Sequence, residues 1–211
     1  MASQERITEA YQTARRISYN DESKFIVFSD VHRGDNSFAD DFANNRNIYH
    51  HALNHYFKNG FTYCELGDGD ELWENLDFKS IFYTHTNIYF LLKKFYDEHR
   101  LYRLIGNHDM VYQRQKYVEK HLYTYFDKVT GKDQPLFPGI TFTEGLILEH
   151  ETSKQEIFML HGHQADWWNY RAWKFNRFMV RALWRQLQIF GISDPTSPAK
   201  NFKELIKVER R

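Results

Sequence analysis

The chain has 211 residues, 42% of them hydrophobic and 27% charged, with 28 Lys plus Arg against 28 Asp plus Glu. That length and apolar content suit one domain with a sizeable core, and the charge balance gives no sign of a polyanionic partner. No run approaches the ~18 consecutive apolar residues of a membrane span, Met1 to Asn20 is too polar for a signal peptide, and the single cysteine, Cys64, can form no internal disulfide. A cytoplasmic setting is therefore expected. The charge is unevenly spread: Arg171 to Arg211 carries 10 basic and 3 acidic residues, leaving 18 and 25 for the rest, an asymmetry that marks an interaction surface.

Taken in order, residues 3 to 17 place Ile7, Ala10, Tyr11, Ala14 and Ile17 at helical spacing. Lys24 to Phe28 is a strand-forming apolar run that ends in Ser29-Asp30-Val31-His32-Arg33-Gly34-Asp35. Residues 40 to 58 read as a helix stopped by Asn59-Gly60. Phe61 to Leu66 reads as a second strand entering Gly67-Asp68-Gly69-Asp70-Glu71. A longer helix is expected over 78 to 98, and a third strand over 101 to 105 delivers Gly106-Asn107-His108-Asp109. Strand and helix alternating with short connections imply an α/β fold with a parallel sheet, in which loops at the carboxyl ends of the strands carry the chemistry.

A helix is expected near 112 to 126, and Pro135-Leu136-Phe137-Pro138-Gly139 then breaks the pattern. Residues 140 to 149 and 156 to 160 read as two strands, the second ending in His161-Gly162-His163-Gln164. Residues 167 to 190 form a helix pattern with Arg171, Lys174, Arg177, Arg181 and Arg185 on one face and aromatic and aliphatic residues over the remainder. A further basic helix begins at Lys200. The first of these suits three roles: a helix packed on the core, a cap over a substrate, or a peripheral contact with an anionic membrane surface.

Asp30 and His32, two apart at a strand end, suit one ion. Asp68 can share its two oxygens between that ion and a second, to which Asn107 offers an amide oxygen and His161 an imidazole. Carboxylate, amide and imidazole without thiolate suit Mn²⁺, Fe²⁺/Fe³⁺, Zn²⁺ or Co²⁺, with manganese the leading expectation. Two ions ~3.5 to 4 Å apart can hold a hydroxide and clamp a phosphate undergoing in-line displacement. His108 would sit beside the second ion as proton donor or charge stabiliser, with Asp109 orienting its ring. Three further histidines, His50, His51 and His55, read as a helix face, and Asp70 and Glu71 as loop-orienting or capping groups rather than ligands. His163 reads as a cleft residue or a support behind the ligands.

Ser-Asp-x-His, Gly-Asp, Gly-Asn-His-Asp and His-Gly, in this order over residues 24 to 166, resemble the calcineurin-like metallophosphoesterases, and the insertion-like helix is most similar to that of the UDP-2,3-diacylglucosamine hydrolase group. The resemblance implies a two-sheet αββα sandwich with a helical cap over about 167–211. It implies a dinuclear site in which Asp30 and His32 bind the first metal, Asp68 bridges, Asn107 and His161 bind the second, and His108 assists catalysis. It also implies hydrolysis of a phosphoester or pyrophosphate bond in a phosphorylated small molecule or lipid-linked substrate. Members of the family close with Gly-His-x-His after the insertion. This motif is not in the 211 residues, so a C-terminally incomplete domain is expected, each metal one His short. The alternatives are a nuclease of the same superfamily, disfavoured by the lack of a basic surface before residue 171, and a non-catalytic binding module with an incomplete metal site.

Overall fold

The computed structural model describes residues 3–37 and 40–165; the helices expected at 167–190 and from Lys200 lie outside them. Helix α1 (Ser3–Gln12) stops short of the expected residue 17, and Arg15–Tyr19 is strand β1. The reason is tertiary. Ile17 and Tyr19, two residues apart, turn inward together while Arg16 and Ser18 face outward, and β1 pairs in parallel with a strand far along the chain, Gly145–His150.

Strand β2 (Phe25–Phe28), helix α2 (Arg46–Lys58), strand β3 (Thr62–Glu65), helices α3 (Phe78–Thr84) and α4 (Thr86–Asp97), and strand β4 (Leu101–Arg103) follow in the expected alternation. The sheet is parallel in the order β2-β3-β4. Side-chain alternation splits it between two cores. Ile26, Phe28, Tyr63 and Leu101 pack with Leu53 of α2 and Ile88, Leu92 and Phe95 of α4. From the other face Phe25, Cys64 and Tyr102 pack against Ile17, Tyr19, Leu146 and Leu148. Cys64, fully buried, is packing, as its sequence position suggests.

Two expected helices are shorter or divided. Residues 40–45 form turns rather than the start of α2, because the Asp40 carboxylate accepts the backbone N–H groups of Asn36 and Phe42 and so holds a turn in place of a helical run. The helix expected over 78–98 breaks at His85, whose backbone leaves the helical region. The buried His85 side chain lies 3.3 Å from Asp40, tying the break to that same turn.

After β4 a short 3₁₀ turn, Met110–Gln113, leads into α5 (Gln115–Leu122). The helix expected to reach residue 126 ends there. Thr124–Asp127 is strand β5, paired antiparallel with β6 (Lys132–Pro135) around Gly131, whose φ of 66° suits the turn. The last two strands form an antiparallel pair, β7 (Gly145–His150), which begins five residues later than the expected 140, and β8 (Glu156–Leu160), as expected, in a sheet ordered β1-β7-β8. The fold is mixed α/β. Among the described residues no helix is long and apolar enough to cross a membrane.

Candidate metal centre

The ends of β2, β3, β4 and β8 bring Asp30, His32, Asp68, Asn107, His108 and His161 to one place. The loops after β2 and β3 remain joined beyond the strands: Asp30 N–H donates to the Gly67 carbonyl, His32 N–H to that of Asp68, and Arg33 N–H to that of Gly69. This zipping holds Asp30, His32 and Asp68 at φ values of 54°, 51° and 51°, a left-handed conformation uncommon outside glycine though more accessible to Asp and His than to most residues. The third loop packs so closely that a Cβ on Gly106 would fall 2.0 Å from Asp68 Oδ1. Only a glycine fits there.

Asp68 is buried and divides its two oxygens. Oδ1 accepts the backbone N–H of His108 at 2.8 Å. Oδ2 faces His161 Nε2 at 3.2 Å and His32 Nε2 at 3.8 Å. One oxygen thus takes a backbone amide while the other faces both imidazoles. Asp30, whose side chain is 59% exposed, reaches to 3.9 Å from His32 Nε2, and one ligand atom each from Asp30, Asp68 and His161 lie within 4.8 Å of one another.

His32 and His161 are both oriented from behind. His161 Nδ1 is 2.9 Å from the Leu66 carbonyl, which can only accept, so Nδ1 carries the proton. In the neutral ring Nε2 is then a lone pair, yet it faces Asp68 Oδ2 and, at 3.1 Å, Asn107 Oδ1. His32 Nδ1 likewise meets Glu71 Oε2 at 2.7 Å, leaving Nε2 toward Asp30 and Asp68. Converging lone pairs repel unless positive charge lies among them, and second-side acceptors on metal-binding imidazoles are the usual arrangement. The donor set thus fits a divalent cation. The same demand appears in the titration of these groups. Burial opposes charging His32 and His161, but the Glu71 and Asp68 carboxylates raise His32 to about 9 and Asp68 raises His161. Burial also opposes ionising Asp68, but the imidazoles of His161, His108 and His32 hold its pKa below the ordinary value.

His108 falls with His32 and Asp68, their ligand atoms within 4.8 Å, and its ring meets that of His32 edge to face at 4.6 Å. It lies beside His32; the expectation put it beside the ion that Asn107 and His161 would hold. Asp109 is also placed differently. Its fully buried carboxylate accepts the backbone N–H groups of Gly106 at 2.7 Å and Gly69 at 3.0 Å. It ties two ligand loops together, while the carboxylate beside the His108 ring is Glu71. Burial and the nearby Asp68 charge push Asp109 up to about 7.

Sequence reasoning set Glu71 aside as a loop-orienting or capping group; it shapes the turn, its Oε1 accepting the N–H groups of Trp73 and Glu74, while the next helix is capped by Asp77. The other oxygen of Glu71 makes it more than that. Arg33 and Arg103 were also missed. Both are buried with Glu65 and Asp70, Arg33 at 2.6 Å from Glu65 and 2.8 Å from Asp70, and Arg103 at 2.5 and 2.8 Å from the same two. Tyr89 and Tyr112 donate to Asp70, and Tyr63 to Glu65. Glu65 and Arg103 are register partners on β3 and β4, and a charge on each of two adjacent predicted strands was the available signal. His50, His51 and His55 lie on α2, away from the site, as a helix face. His163 is buried beside His161, and its pKa is lowered to about 4 by burial and by that neighbour. Comparison with protein-family models, with curated proteins and with solved structures finds no match.

Proposed function

We propose that the chain is a metal-dependent phosphoester or pyrophosphate hydrolase built on the metallophosphoesterase αββα plan, and that it acts in the cytoplasm. The observation that carries this reading is the convergence on Asp68 Oδ2 of two imidazole Nε2 atoms, each fixed by an acceptor at its Nδ1. Two face-to-face sheets, with α2 and α4 against one and α1 against β7 of the other, support the plan.

Two bound divalent ions would activate a water molecule and neutralise charge on the phosphoryl oxygens. Asp30 and His32 would hold one, Asn107 and His161 the other, with Asp68 between them. The protein's own contribution is placement. Glu71 and Leu66 fix the ligand imidazoles, and Asp109 pins the Gly69 and Gly106 backbones behind them. His108, partly exposed beside His32, would donate a proton to the departing oxygen.

The test is Asp68→Asn. The wild-type chain should retain Mn²⁺ after gel filtration and hydrolyse an aryl phosphodiester; the variant should do neither. Equal metal content and turnover in the two would refute the reading.

A further inference from the structure

We propose that Trp73 is the positioning residue for His108, holding the plane of its imidazole for proton donation; this rests on the hydrolase reading above. An imidazole turns easily about its second side-chain torsion, where the energy wells are broad, so a histidine that must aim a proton needs an outside constraint. Glu71 Oε2 stands 2.7 Å from His108 Nδ1, but the same oxygen is shared with His32 Nδ1, and a contact at one ring atom leaves the ring free to tilt about it. The carboxylate supplies charge without fixing the plane.

The plane is fixed by stacking. The Trp73 and His108 rings lie 4.3 Å apart and 18° from parallel, while His32 meets His108 at 89°. Trp73 is only 6% exposed. Its backbone is anchored as firmly, because Glu71 Oε1 accepts the Trp73 N–H and Asn75 closes the turn with two bonds to the Glu71 carbonyl. Glu71 therefore joins both functions: one oxygen shapes the turn that presents the indole, and the other faces the two histidines.

Trp73→Leu and Trp73→Phe in the full chain with Mn²⁺ would test this. Misplacement of a reacting group by about 1 Å costs up to ~100-fold, so Trp73→Leu should lower kcat by roughly ten- to a hundredfold with KM and bound Mn²⁺ unchanged. Phe should restore most of the loss. Trp73→Leu added to His108→Gln should lower the rate no further, since Trp73 acts only through His108. A loss of equal size in the His108→Gln background, or one borne by KM or metal content, would overturn the proposal. A second readout needs neither metal nor turnover. The ring protons of His108, assigned by comparison with His108→Gln, should be shifted upfield by the indole in wild type and move downfield in Trp73→Leu. Unmoved resonances would sink the stacking argument. A wild-type chain that shows this shift but hydrolyses nothing would instead refute the hydrolase reading.

Discussion

Arg33 and Asp70 are joined twice, by a parallel backbone bridge and by an ion pair of 2.8 Å with both side chains buried. Arg33 follows His32 and Asp70 lies two residues after Asp68, so this double link holds the loops after β2 and β3 in register. Glu65 and Arg103 extend it to a four-charge cluster of balanced sign. Removing one member of a buried ionic cluster leaves the others uncompensated, at about 3–5 kcal/mol. Arg103→Met should destabilise the chain by that order in urea denaturation, well beyond Arg100→Met on the partly exposed Arg100–Glu98 pair.

The cluster also gives a pH dependence. Burial alone would raise the pKa of Glu65, but Arg103 and Arg33 hold it below the ordinary glutamate value. A carboxylate with a depressed folded pKa adds stability that is complete above its unfolded value and is lost as pH falls below it. Metal-free protein should therefore lose stability as pH drops through about 4, and Glu65→Gln should flatten that part of the profile, as read by urea midpoints at successive pH values.

Glu71→Gln separates orientation from ligation. The side chain does not enter the proposed ion sites, yet it holds His32 Nδ1 at 2.7 Å. Loss of such a supporting partner typically costs ~10–100-fold in metal affinity. Chelator competition should show that decrease for one ion and spare the other, which His161 and the Leu66 carbonyl hold.

Ion binding should appear as stability. A ligand that binds only the folded chain contributes about 2.7 kcal/mol at a hundred times its Kd. Mn²⁺ added to chelator-treated protein should raise the melting temperature, and Gly106→Ala should abolish the rise, because its Cβ would fall 2.0 Å from Asp68 Oδ1.

Much of the site was legible because its signals are local: an apolar run followed at once by acceptor side chains marks each of the loops bearing Asp30, Asp68 and Asn107. What stayed hidden depends on partners distant in sequence. Arg15–Tyr19 is a strand because β7 lies beside it, and helix 78–98 breaks because His85 meets Asp40. Thr124–Asp127 has strand-forming residues but was absorbed into the helix before it, since its partner is Lys132–Pro135. Buried polar groups are hardest of all. Arg33 and Arg103 look like surface charges until Glu65 and Asp70 are seen beside them, and Glu71 until His32 and His108 are, whereas Asp109 looks catalytic until its two backbone donors are found.

The left-handed backbone at Asp30, His32 and Asp68 decides how these positions can be probed. An alanine there would remove a ligand and at the same time place a poorly suited residue in a conformation costing about 1–2 kcal/mol. The two losses would be mixed in a single number. Glycine relaxes the backbone while deleting the same ligand, and asparagine tolerates the conformation while removing the charge. Glycine and alanine replacements at one position should thus be equally unable to bind Mn²⁺ yet differ in metal-free stability, with glycine the more stable. The choice of replacement residue therefore separates what the ion needs from what the chain must tolerate to meet it.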